Sequence, residues 1–411
     1  MLFLLVLFLF PTSAFATNGI HLLASSALGQ GRAGATTAVS AAGSDSLLAN
    51  PSLLSTSGEK EREFEFSLTS LILDVRSKND EAVPFGGAGL QRRSAKKFVP
   101  IPTLSYQQKV AERFTVAFGV VAEAGLSSDQ KGNTELLELK PEYSVVKVPV
   151  GISYPTEFAT FGIAPMIGVA QYATNSSQTI GSPSQTDRGL KSAFGYGISL
   201  GASKVVSDHS FGVGIKSKSS FKLKEFADLD SFGPNAAPGL DTLTLESPAQ
   251  WNIGYGYRGL PDWIFLFDAK RIGWGSAKGF REYGWDNQWV GAIAVERQLG
   301  RHQIRAGFNL STPVYHSESA RNATGTKDIQ GHSVYESSLD FFNVVGYPAI
   351  LTKTASVGGT LDLNGGKLDV ALLHSFSETI ARSGTGAFGL PYSYETKIAF
   401  TNVVVSYRSE F

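Results

Sequence analysis

From about residue 63 the chain divides into segments of about ten to fourteen residues in which apolar side chains alternate with small or polar ones. A period of two predicts β-strands. In 113–123 the apolar set is Phe114, Val116, Phe118 and Val120, with Thr115, Ala117 and Gly119 on the other face. Around 194–204, Phe194, Tyr196, Ile198 and Leu200 oppose Gly195, Gly197, Ser199 and Gly201. Trp251, Ile253, Tyr255 and Tyr257 likewise oppose Asn252, Gly254, Gly256 and Arg258. One face is greasy and the other is small or polar.

The connections have a rhythm that soluble sandwiches lack. Short turns are expected at 111–112, 155–159, 207–210, 259–261, 299–301 and 364–366. Longer polar stretches lie between them at 76–97, 124–141, 174–192, 223–246, 275–286, 313–349 and 381–391. Short turns at one end and long loops at the other are the pattern of outer-membrane barrels. The expected fold class is therefore all-β, a transmembrane antiparallel β-barrel of about 14 strands with both ends on the short-turn, periplasmic side. Trp251, Trp263, Trp274, Trp285 and Trp289 fall at or near strand ends, where amphipathic rings suit the membrane interface.

Composition narrows the choice further. Gly makes up 44 of 411 residues, and no stretch after the first ten is apolar for the ~20 residues that a helical span needs, so a helical membrane protein is not expected. Lys plus Arg and Asp plus Glu are 36 each, which leaves no basic face for nucleic acid. With no Cys there is no disulfide framework or thiol nucleophile, and neither a cofactor nor a metal-ligand set is predicted.

The two ends supply the compartment. Met1–Phe10 is apolar and Ala14-Phe15-Ala16 follows as a small-x-small cleavage signal, so residues 1–16 are expected to be a cleaved signal peptide, although no Lys or Arg precedes the run. The chain closes on a strand, 401–411, that ends in Phe411 and resembles the signal read by the barrel assembly machinery. Between them, 17–62 is rich in Gly, Ala and Ser and does not alternate. It is expected to be a plug inside the lumen, with the barrel proper at 63–411.

Within the plug, the run from Ala24 through Gly29, Gly31 and Gly34 to Ala38, then Asp45 and Asn50-Pro51, resembles the N-terminal hatch of the FadL family of long-chain fatty-acid and hydrocarbon transporters. Ser52 stands where that family's motif has Ala. The resemblance implies a 14-stranded barrel that takes up hydrophobic small molecules passively. A ligand is captured in a greasy groove among the extracellular loops, held in a lumenal pocket, and released sideways through the wall when the hatch shifts. It also implies a monomer, with outer-membrane lipid, lipopolysaccharide and the assembly machinery as partners. A general diffusion porin for hydrophilic solutes is the alternative. An enzyme is not expected, since in His374-Ser375 the neighbours face opposite sides of a strand and no third member can be placed.

Several residues are singled out on these grounds. Phe226, Leu229, Phe232 and Leu240 in the fourth long loop either form the capture groove or pack the loop on its own rim. Lys147, Lys216 and Lys218 face the lumen by alternation, where they either orient a fatty carboxylate or pair with acidic residues such as Asp45 or Asp369. Pro149 and Pro165 lie inside strands of a ring that has no free edge, and each marks a bulge or a lateral opening. The family places its kink in the third strand, where Gly119 is the candidate.

Overall fold

A computed structural model describes residues 18–55, 61–81, 87–111, 113–175, 191–235 and 239–411. The signal peptide at 1–16 and most of the polar loop at 174–192 lie outside the described residues. Fourteen strands form the wall: β1 (Arg62–Glu81), β2 (Phe98–Ala111), β3 (Phe114–Ser127), β4 (Lys140–Pro155), β5 (Thr160–Asn175), β6 (Lys191–Val206), β7 (His209–Lys216), β8 (Gln250–Leu260), β9 (Trp263–Ile272), β10 (Gln288–Leu299), β11 (His302–Ser311), β12 (Lys353–Asp362), β13 (Lys367–Thr385) and β14 (Pro391–Glu410). Each pairs antiparallel with the next. β14 returns to β1 from Glu63↔Glu410 to Glu81↔Tyr392, so the last strand closes the ring on the first. No described helix is long and apolar enough to cross a membrane.

The alternation has the sense of a membrane barrel. Phe194 and Tyr196 are 66% and 73% exposed, whereas Ala193 and Ser199 face inward and are buried. Lipid replaces a protein core on the large apolar face, and the lumen is lined by what remains.

Two expectations fail at the extracellular end. The stretches 76–97 and 381–391 were expected as loops, yet β1 runs 20 residues to Glu81, β13 runs 19 and β14 runs 20. Ser77, Asn79 and Glu81 stay buried in alternation with Arg76, Lys78 and Asp80, but here both faces are polar. Alternation of apolar with polar is lost there while the strand persists. The second failure concerns tryptophan: Trp251 and Trp289 are 54% and 58% exposed as an interfacial belt requires, but Trp274 and Trp285 are buried inside the loops.

The loops form a second, apolar core above the ring. A hairpin of Ser219–Ala227 with Asp241–Ser247, a hairpin of Thr326–Ile329 with His332–Tyr335, and a helix at Glu336–Phe341 all pack into it. Phe221, Leu223, Leu229, Leu243, Ile329 and Val334 are among its buried side chains.

Candidate functional site

Residues 18–54 are almost wholly buried and touch wall strands around the ring. The segment holds two short helices, Ala27–Gly31 and Gly43–Ala49, and a 3-10 turn at Pro51–Leu53. Small lumenal side chains let its backbone lie directly on the wall. A Cβ added at Gly201 would sit 1.9 Å from Asn50 Oδ1, one at Gly212 1.9 Å from Thr37 O, and one at Gly214 1.9 Å from Ala49 O.

Polar wall groups meet the backbone of this segment because helices this short leave most of their terminal N–H and C=O groups unpaired. Asp268 Oδ2 accepts from Thr36 N at 2.9 Å, Thr37 N at 3.0 Å and Thr37 Oγ1 at 2.6 Å. Lys270 Nζ donates to Gly34 O at 2.6 Å and Asn309 Nδ2 to Ala33 O at 3.0 Å, holding a turn in which Gly34 adopts φ +86°. Ser356 Oγ donates to Gly31 O at 3.0 Å. Arg32 grips Glu296 through two hydrogen bonds of 2.9 and 2.7 Å, and Arg305, Asp369 and Arg408 extend that buried pair into a chain of alternating charge.

Asp45 and Asn50 are internal braces. Asp45 Oδ1 accepts from Ser25 N at 2.6 Å and Oδ2 from Ser26 Oγ at 2.5 Å, tying the second helix to the N-cap of the first. Burial pushes its carboxyl above the ordinary carboxylate value, opposed by these hydrogen bonds and by Lys270. Asn50 Nδ2 donates to Thr37 O at 2.8 Å and to Ala202 O of the wall at 3.3 Å. Its Oδ1 accepts from Ser52 Oγ at 2.6 Å, so the serine adds a bond that alanine in the family motif could not make.

Above this segment lies a narrow apolar cleft whose side chains leave about 40 Å³ of free space, so a ligand of ordinary size enters it only as those side chains move apart. Ile20 lines it together with Phe226, Leu243, Leu245, Phe280 and Trp285, and no charged side chain lines it. Trp274 meets Phe280 and Trp285 edge-on and Phe280 lies tilted on Trp285, with centroids 4.8–5.2 Å apart, and His21 lies against Trp274 at 4.7 Å. Of the four loop residues read from sequence, Phe226 lines the cleft, Leu229 is buried beneath the loop, Phe232 meets Phe342 edge-on at 4.8 Å, and Leu240 is 40% exposed.

The three lysines are brought to carboxylates other than Asp45 and Asp369. Lys216 Nζ and Lys147 Nζ lie 2.5 and 3.3 Å from the two oxygens of Glu123, and Lys218 Nζ lies 3.1 Å from Glu246. Glu123 carried no weight in the sequence reading, although an acidic residue among small ones in a strand was a visible signal.

The wall is incomplete between β2 and β3. Their pairing stops at Leu104↔Val120, while β2 continues beside β1 to Phe98. Leu73 N donates to Lys97 O, and this fixes the alternation: Val99, Ile101 and Thr103 turn their amides toward β1, and Pro100 and Pro102 face β3 without an N–H to give. On β3 the register to β4 shifts between Ala122 and Ala124, leaving Glu123 as a bulge. The freed edge is taken by the N-terminal segment: Leu22 N donates to Glu123 O, Gly125 N to Ile20 O, and His21 bridges to Ala124. Of the sequence candidates, Gly119 lies beside this point, one residue before the last β2–β3 pair, and the β3–β4 ladder passes from Phe118↔Val150 to Val121↔Lys147 where Gly119 lies opposite Pro149; Pro165 lies apart. Gly119 pairs with Ser105, Pro149 with Met166, and Pro165 with Ile198.

This closed ring with an N-terminal segment inside it matches, over residues 8–312, the family model described as "Outer membrane protein transport protein (OMPP1/FadL/TodX)". The chain belongs to this family. It is a FadL-family protein of the outer membrane, and solved structures share its fold at low identity. A Pseudomonas aeruginosa FadL homologue superposes with a TM-score of 0.70 at 13% identity over 97% of this chain and 100% of that one. The P. putida toluene transporter TodX gives 0.64 at 15%, over 95% and 99%. The Ralstonia pickettii toluene transporter TbuX gives 0.65 at 14%, also over 95% and 99%. No curated protein matches this FadL-family chain in sequence.

Proposed function

We propose that this barrel takes up uncharged hydrophobic molecules from the outer surface, holds them in the loop cleft, and releases them sideways between β2 and β3. The single observation that carries this reading is the cleft itself, uncharged and walled by Phe226, Phe280 and Trp285 with the plug residue Ile20 in its lining. Apolar solutes gain nothing from a water-filled pore, whereas an apolar cleft favours them by about 25 cal/mol for each Å² removed from water. Toluene is named for two of the similar structures, and an aromatic hydrocarbon is of that chemical kind.

A neutral solute is favoured over a fatty carboxylate because Lys147 and Lys216 share Glu123 and Lys218 holds Glu246. An entering carboxylate would have to displace one of these pairs. Residues 20–22 act in this scheme as the strip that seals the wall, and movement of the hatch withdraws them. In this scheme the barrel works as a monomer among outer-membrane lipid and lipopolysaccharide, inserted by the barrel assembly machinery. No chemical step is needed along this route.

The test is uptake of a labelled aromatic hydrocarbon and a labelled long-chain fatty acid by cells whose own transporter is deleted, with the intact protein and with Thr17 to Ser57 removed. Faster hydrocarbon uptake that depends on residues 17–57 is the expected result. Uptake of the fatty acid alone overturns the preference for neutral solutes. No uptake of either by assembled barrels, with large ion conductance in a planar bilayer, overturns the transporter and leaves a porin.

A further inference from the structure

Three loop residues far apart in sequence converge where the two loop hairpins abut. Asp230 follows the strand that ends at Ala227, Asp241 opens the returning strand, and His332 follows the two-residue turn Gln330–Gly331 of the other hairpin. Each offers one ligand atom, and the three atoms lie within 4.8 Å of one another. His332 Nδ1 is 3.3 Å from Asp230 Oδ1 and 3.6 Å from Asp241 Oδ1. Ligand atoms on a tetrahedral centre with bonds of about 2.1 Å stand about 3.4 Å apart, so an ion fits between these groups with little movement.

The surroundings favour a cation there. Two carboxylates face each other with no Arg or Lys partner among the described residues, so the imidazole is the one basic group that meets them. Their backbones are held in place independently. Leu229 N donates to Asp241 Oδ2 at 2.7 Å, leaving Oδ1 toward the histidine. Gln330 exchanges two hydrogen bonds with the backbone of Thr244, at 3.0 and 2.9 Å. A Cβ added at Gly233 would fall 1.7 Å from Ser333 O, which shows how closely the two loops abut.

We propose that Asp230, Asp241 and His332 form a site for one divalent transition-metal ion that clasps the two loops together. One nitrogen and two carboxylate oxygens suit Zn²⁺ rather than Ca²⁺ or Mg²⁺, which prefer all-oxygen shells of six or more ligands. Three protein ligands leave a fourth position to water. The site stands whatever the barrel carries, and its test measures no transport. The sequence gives no hint of it, because residues 230, 241 and 332 match no metal-ligand spacing.

The experiment is calorimetric titration of Zn²⁺ into the full-length, chelator-stripped protein in detergent micelles, with Mg²⁺ as competitor. The expected result is one Zn²⁺ per chain, not displaced by Mg²⁺. Binding weakens at least about tenfold in His332→Ala and in Asp230→Asn. It is unchanged in His316→Ala, which removes the exposed histidine beside Asp286. No saturable binding by the native chain overturns the proposal, as does undiminished binding by both variants when their gel mobility shows folded barrels. Should either variant fail to fold, diethyl pyrocarbonate labelling of the native chain decides. Zn²⁺ that protects His332 and leaves His316 reactive supports the site, and Zn²⁺ that protects neither or both overturns it.

Discussion

The hatch and the loop roof are both buried, yet they are held by opposite chemistry. Residues 18–54 meet the wall through Asp268, Lys270, Asn309, Ser356 and the Arg32–Glu296 pair, with glycine at close approaches such as Gly201, Gly212 and Gly214. The roof is held by Trp274, Phe280, Trp285, Phe221 and Leu223 packed on one another. A hydrogen bond exchanged for water loses only about 0.5–1.5 kcal/mol, and the apolar contacts of the hatch with the wall, such as Leu23 on Leu373 and Val404 and Leu47 and Leu54 on Ala117 and Ala164, form small separate clusters. A buried aromatic ring instead loses about 1.5–3 kcal/mol on exposure. The contrast bears on the proposed route, in which the hatch interface opens and re-forms while the roof keeps an apolar shape for a solute to fill.

The largest expected effect tests the polar side. Glu296→Ala leaves Arg32 and Arg305 buried without their shared carboxylate, and removing one partner of such a pair costs about 3–5 kcal/mol. Urea unfolding in micelles should show that loss, and a change under about 1 kcal/mol would mean that water already solvates the pair. Next comes Gly214→Val, whose Cβ meets Ala49 O, set against Gly291→Val, where nothing lies within 4 Å. The first should destabilise by about 1–3 kcal/mol and speed hydrogen exchange at residues 43–53, and the second should do neither. Equal effects from both would remove steric contact as the reason for the lumenal glycines.

His21 gives a smaller, pH-dependent effect at the junction of the two regions. Burial, with Lys216 and Lys147 adding and Glu123 opposing, lowers its imidazole from the ordinary 6.5 to about 3. A depressed value means that its contribution is full above pH about 6.5 and is lost as pH falls toward about 3, at up to about 1.4 kcal/mol per pH unit. Asp45, raised by burial, acts in the opposite sense, favouring the docked hatch in acid and losing that contribution as pH rises through its folded value. Thermal unfolding from pH 7 to 4 should fall less steeply in His21→Asn than in the native chain, and an identical slope would show that His21 is already hydrated.

The smallest effect belongs to the roof. Trp285→Phe keeps a ring in the cleft and loses the 2.9 Å bond from Nε1 to Asn343 Oδ1, a change of about 0.5–1.5 kcal/mol. Hydrocarbon uptake should slow while hydrogen exchange in the hatch stays at native rates. Faster hatch exchange in this variant would show that the two regions are coupled and would blur the comparison.

Much of this was legible in particular residues. The alternation of Phe194–Gly201 gave the wall its two faces, and the turn rhythm gave the strand number. Asp45 and Asn50-Pro51 stood out as a motif, although their bonds to Ser25, Ser26 and Thr37 could not be foreseen. Pro100 and Pro102 went unremarked because a proline's effect in a ladder depends on which neighbour its nitrogen faces, and that follows from register. Trp274 and Trp285 were misread because position near a strand end does not distinguish a ring facing lipid from one folded into a loop core.

By itself the sequence determined the barrel, its closure, its compartment and the presence of a plug, because these rest on periodicity, turn spacing and composition, which are local along the chain. Only the tertiary structure decided where Lys147 and Lys216 find Glu123, where the wall gives way between β2 and β3, and how Ile20 comes to line the cleft. Each of these joins segments far apart in the chain, and the physical reason is register: a one-residue slip turns a side chain from lumen to lipid and moves an amide from one neighbour to the other.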